Sequence, residues 1–154
     1  MQSELINPFV LAGHSVLEMV LGAPPERGEL KLEKASFTNG QVNIVCGVTG
    51  QVVGQVMYGM SLHTADKIAS IMIGQKVTTF DQLAASAIAE LANMISGNGL
   101  LKLAEGGFVA DLAPPTIVKG SNVQISTLSI PAIAVPFKLV EGEFVITLAL
   151  HQAK

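Results

Sequence analysis

Along this chain the spacing of apolar residues runs from a helical period to a strand period, back to helical, and again to strand. That order restricts the fold more than any single residue does. Residues 7–21 read as a helix: Asn7 can cap it, Pro8 suits the first helical position, and Phe9, Val16 and Val20 recur at helical spacing. "GAPPERG" stops it. From Gly28 the pattern is that of strands. "ELKLEKASF" leads through Asn39-Gly40, a strong hairpin signal, into "QVNIVCGV", where Val42, Ile44, Cys46 and Val48 alternate. Thr49-Gly50 is a second turn, so a three-stranded meander ending in "QVVGQVMYGMS" is predicted.

Helical spacing returns in "TADKIASIMIG", with Thr64 as a possible cap and Gly74 as the stop. Thr79 opens the longest helix, with Gln82 completing a capping box and Asp81 in its first turn. It runs to about Glu105, with Gly97 and Gly99 as places where it can bend or break. After "FVADLAPPTIVKG" come three strand candidates, "NVQISTLS", "AIAVPFKL" and "EFVITLAL", the last two joined at Glu141-Gly142. The expected fold is α+β: an antiparallel or mixed sheet in two pseudo-duplicated halves, with helices packed on it. No linker divides residues 1–154, which are expected to form a single domain. The 7–21 helix would correspond in the duplication to the 79–105 helix.

Composition narrows the function. Hydrophobic residues are 49% and charged residues 14% of the 154, which is apolar for a monomer and points to an oligomer interface. No unbroken apolar run approaches the length of a membrane helix, and "MQSELINPF" does not resemble a signal peptide. A lone cysteine fits a reducing compartment, so a cytoplasmic location is expected. The net charge is −3, and the nine basic residues are scattered, which argues against nucleic acid. His14, His63 and His151 share no metal-ligand spacing; His14 and Cys46 read as packed residues. "GNG" follows a helix and lacks the Lys and Ser/Thr of a phosphate loop.

The informative stretch is "SAIAELANMISGNG", Ser86 to Gly99. At about 100° per residue, Ala84, Ala87, Ile88, Leu91, Met94 and Ile95 form an apolar stripe for the core. Ser86, Glu90, Asn93 and Gly97 share a different stripe, flanked by Ala85, Ala89, Ala92 and Ser96. A solvated helix face normally carries Lys, Arg, Gln and Glu. This one carries only Glu90, so a partner approaching it meets one carboxylate and one amide. Small residues on a helix equally serve tight packing against another helix, and the residues alone leave both readings open.

At this helix the sequence resembles the CheC/CheX/FliY family of chemotaxis phosphatases. The family's Ser-Ala followed by Glu-x-x-Asn stands here as "SAIAELAN", Ser86 to Asn93. "GVTGQVVGQVMYGMSLHTADKIASIMIG" and "DLAPPTIVKG" resemble two further family segments, in the family's order. The resemblance implies a CheC-like fold and a phosphatase of a phosphorylated CheY-type receiver. Glu90 and Asn93 would be the catalytic pair, with Ser86, Ala89 and Gly97 as a possible contact face. On the first helix Glu18 is followed three residues later by Leu21, not Asn, which implies one site, as in the CheX branch. It also implies a homodimer, and no cofactor of the chain's own, since the receiver holds the Mg²⁺. Nothing in it implies a membrane or nucleic-acid partner. The competing expectation is a non-catalytic module, related to flagellar switch scaffolds, that binds a receiver or another signalling protein.

Overall fold

The computed structural model describes residues 3–33, 36–38, 40–120, 124–126 and 131–154. Its elements, in order, are α1 (Ser3–Leu21), β1 (Glu26–Arg27), β2 (Lys31–Glu33), β3 (Ser36–Thr38), β4 (Val42–Gly50), β5 (Val52–Met60), α2 (Leu62–Ile73), α3 (Gln82–Glu105), β6 (Ala110–Leu112), β7 (Thr116–Lys119), β8 (Gln124–Ser126), β9 (Ala132–Leu139) and β10 (Gly142–Gln152). The expected α+β class holds. The main sheet runs β1-β9-β10-β5-β4-β6, with β2 also on β9 and β7 also on β4. All of its pairings are antiparallel.

This order contains the duplication. From the central β5–β10 pair, in register from Val145 opposite Gly59 to Gln152 opposite Val52, the sheet reads outward identically on both sides. On one side β10 is followed by β9 and the short β1 and β2; on the other, β5 is followed by β4 and the short β6 and β7. β3 and β8 pair with each other in a separate ribbon. Each half therefore contributes one helix (α1 or α3) followed by five strands in equivalent places, and α2 is an addition to the first half.

The sequence misplaces some local features. Among the described residues the expected first hairpin does not form: β2 pairs with β9 and β3 with β8, while β4 pairs with β5, β6 and β7. Asn39 lies outside the described residues. The two short strands inside "FVADLAPPTIVKG" were not anticipated. The Pro114-Pro115 pair separates them, because proline cannot donate to a ladder.

Helix α1 starts at Ser3, so Asn7 is not its cap and Pro8 lies within it. Proline removes one backbone bond there. Leu5 and Ile6, 1% and 4% exposed, offset that loss by burying about 1.5–3 kcal/mol each. By length and composition alone α1 could cross a bilayer, which a search for unbroken apolar runs overlooks. Its apolar side, including Phe9, Ala12, Val16 and Leu17, instead joins the core with the sheet and α3.

The caps of the other two helices lie close to the expected places. Ser61, not Thr64, caps α2, accepting from the Thr64 amide at 3.1 Å. Gly74 ends it in the left-handed conformation, as expected. Thr64 is buried and its hydroxyl donates to the Glu141 carbonyl at 3.1 Å, which ties α2 to the β9–β10 turn. Gly142 in that turn has φ +136° and lies where a side chain would overlap the Thr64 hydroxyl. Asp81, not Thr79, caps α3, its carboxylate accepting from the Ala84 amide at 2.9 Å.

Candidate active site

Helix α3 is continuous over 24 residues, unbroken at Gly97 and Gly99. Ala84, Ile88, Leu91 and Ile95 are buried as the apolar stripe requires, with Ala87 and Met94 half-buried at its margins. On the other side Ser86 and Glu90 are exposed, and Ala89, Asn93 and Gly97 half-buried. The structure therefore brings all five expected site residues to one outward arc of one helix. Neither Glu90 nor Asn93 makes a side-chain hydrogen bond or ion pair among the described residues. Both retain their full capacity for a partner: the carboxylate accepts, while the amide donates and accepts. The hollows described among these residues, beside α2, α1 and the β9–β10 turn, are lined by other elements than α3.

The small residues beside the pair divide between two roles. Ala92 and Ser96, expected on the open flank, are buried at 1% and 0%. Ser96 Oγ and the Tyr58 hydroxyl lie 2.5 Å apart, a buried hydrogen bond that pins α3 to the central strand β5 one turn beyond Asn93. Burial drives the Tyr58 hydroxyl pKa far upward, against the lowering effect of the Ser96 bond, so it remains a neutral phenol. Burial likewise raises the pKa of the Cys46 thiol, with Ser96 opposing; Cys46 is a core side chain, as expected. Gly99 faces α1, and a methyl group there would overlap the Phe9 ring. These residues serve packing, the alternative that sequence had left open for the whole set. Tyr58 was not anticipated as part of the site's support; as the only tyrosine in an apolar strand, it was the one visible signal.

Gly97 differs. A Cβ there would meet nothing within 4 Å, so no packing among the described residues requires glycine. Glycine in a helix interior costs about 1 kcal/mol relative to alanine. Gly97→Ala is therefore expected to raise unfolding stability by about 0.5–1 kcal/mol in a urea titration. A loss of stability would show that the helix is more crowded there than described. The glycine leaves a low spot on the arc, next to Asn93.

The other candidates lie elsewhere. His14 is half-buried beside a hollow lined by Asn7, Val10, Leu11, Arg27 and Phe137. His63 and His151 are exposed on α2 and β10. On α1, Glu18 and Leu21 occupy the last turn, which the Gly22 amide closes on the Glu18 carbonyl at 2.9 Å.

Comparison with known proteins places the chain and its fold in a family. The sequence profile described as "Chemotaxis phosphatase CheX" matches residues 42–138, which include α3 entire. A Thermotoga maritima protein named CheY-P phosphatase CheX is 31% identical over 131 residues, 84% of each chain. The crystal structure of a chemotaxis protein CheX from Desulfovibrio desulfuricans superposes with TM-score 0.86 at 30% identity, covering 97% of this chain and 99% of that one. A CheX–CheY–BeF₃–Mg²⁺ complex from Borrelia burgdorferi matches with TM-score 0.83 at 30% identity, covering 96% and 97%. With profile, sequence and fold in agreement, the chain belongs to the CheX family of chemotaxis phosphatases.

Proposed function

We infer that this protein dephosphorylates a phosphorylated CheY-type receiver, with α3 as the element that enters the receiver's active site. The observation that carries the reading is the pair of polar side chains, Glu90 and Asn93, unengaged among the described residues, on a helix arc of otherwise small residues in a chain of this family. The Borrelia relative was captured with CheY, Mg²⁺ and BeF₃, a group with the shape and charge of a phosphoryl. That supports a receiver as the partner here, and the receiver as the owner of the metal.

Hydrolysis of an aspartyl phosphate forms a bond from water oxygen to phosphorus and breaks the bond to the aspartate oxygen, releasing phosphate and a free carboxylate. The receiver supplies metal and charge; a partner accelerates the reaction by holding the water in line. Asn93 suits that role because an amide orients water in any protonation state. Glu90, one turn away, pairs with a cationic side chain of the receiver and fixes the helix in register. A helix pinned to the sheet through Tyr58 and Ser96 holds both groups still, as positioning requires. We assign the protein to the cytoplasm, and read the 49% hydrophobic composition as supporting a homodimer.

The test is the decay of a phosphorylated CheY receiver with and without this protein. Acceleration establishes the activity; receiver binding without acceleration establishes the non-catalytic module instead. Glu90→Ala is expected to raise KM for the phosphorylated receiver about ten- to a hundredfold and to lower kcat as well, since a charge-assisted bond is lost. If both constants stay unchanged, Glu90 is not the docking group.

A further inference from the structure

The arc that carries Glu90 and Asn93 does not end with them. Leu83 is 59% exposed and Leu101 68% exposed, and both belong to α3. At 100° per residue each lies about 20° around the helix from Glu90, in the same sense. The two are about 27 Å apart along the axis, at 1.5 Å per residue, with the polar pair between them. Between the leucines the arc holds Ser86, Ala89, Glu90, Asn93 and Gly97, and, beside Leu101 at its far end, the half-buried Leu100, which packs against the core. The centre thus offers chemistry and close approach but little apolar area, and the two ends offer the area.

Resting on the function proposed above, we propose that Leu83 and Leu101 are the apolar anchors that seat the phosphorylated receiver on α3. A specific interface buries about 800 Å² on each partner. A carboxylate, an amide and a few small side chains do not supply that, and each leucine adds about 1.5–3 kcal/mol when covered. The receiver is the occupant because the leucines continue the same surface as the groups that meet its active site. Single exposed apolar residues are ordinary elsewhere, and Val140, 87% exposed at the β9–β10 turn, is one of them. Leu83 and Leu101 differ in sharing an arc with two unengaged reactive groups.

The experiment measures kcat and KM for decay of a CheY receiver phosphorylated with acetyl phosphate, using the wild-type protein, Leu83→Gln, Leu101→Gln, the double variant, and Val140→Gln as an exposed control. Thermal melts confirm that each variant is folded. Each leucine variant is expected to raise KM about tenfold, and the double variant further, while kcat stays within about twofold and Val140→Gln matches wild type. Titration of the BeF₃-treated receiver, followed by fluorescence, gives Kd in parallel. If the wild-type protein binds without accelerating decay, the phosphatase reading fails, while a weaker Kd in the leucine variants still upholds the anchors. Unchanged KM and Kd in the double variant, an equal loss in Val140→Gln, or no wild-type binding at all overturns them.

Discussion

Asn93→Ala should abolish nearly all acceleration of receiver dephosphorylation while leaving receiver binding within about threefold of wild type. The asymmetry follows from where Asn93 lies. It is half-buried on the α3 arc, with no side-chain partner among the described residues, so its removal leaves no core group unsatisfied and opens no cavity. Its proposed contribution is one oriented water, present only when a receiver phosphate stands opposite. Losing a single preorganised hydrogen-bonding group at a reacting centre costs about 10²–10³ in rate. Binding, in contrast, draws on Glu90 and the surrounding surface. Single-turnover decay of the phosphorylated receiver, with saturating variant, gives the rate directly. A variant that still accelerates like wild type would remove Asn93 from the reaction, whatever its effect on affinity.

The largest effect on stability is expected from Phe9→Ala. Phe9 is fully buried, and its ring fills the space that Gly99 leaves open on α3. Truncating a core phenylalanine costs about 3–5 kcal/mol, since transfer energy and cavity energy are both lost. Against a total stability of about 5–15 kcal/mol that is a large fraction. In a domain of this size it lowers Tm by roughly 6–20 °C. Calorimetry and urea unfolding would measure it, and a loss below about 1 kcal/mol would mean that the α1–α3 contact does not depend on this ring. Gly97→Ala, two residues from Gly99 on the same helix, is expected to act with the opposite sign.

Local signals were readable in the sequence where local physics decides. The α3 stripe, the end of α2 at Gly74 and the β9–β10 turn at Glu141-Gly142 follow from period, cap and turn chemistry. Angular spacing alone puts Glu90 and Asn93 together and off the core stripe; that their arc faces outward is settled by what packs on α3. Long-range choices were not readable. Asn39-Gly40 is a strong hairpin signal, yet β2 finds β9, a strand distant in sequence, and no local pattern records that preference. Pro8 looked like a helix start because propensity knows nothing of the core that receives Leu5 and Ile6. The small residues of α3 looked alike because sequence does not tell which neighbours lie over each. Ser96 has Tyr58, Gly99 has Phe9, and Gly97 has nothing.

The bond between Tyr58 and Ser96 has a consequence for how the molecule fails. It joins the helix bearing the reactive pair to a strand at the middle of the sheet, where β5 is flanked by β4 and β10. Segments with few buried contacts open singly, at little cost; segments built into the centre open only when everything opens. α3 is of the second kind, although functional elements are commonly drawn from the first. Opening of the working surface with the sheet intact is therefore expected to be costly, so that thermal melts followed by sheet signal and by receiver dephosphorylation should share one midpoint.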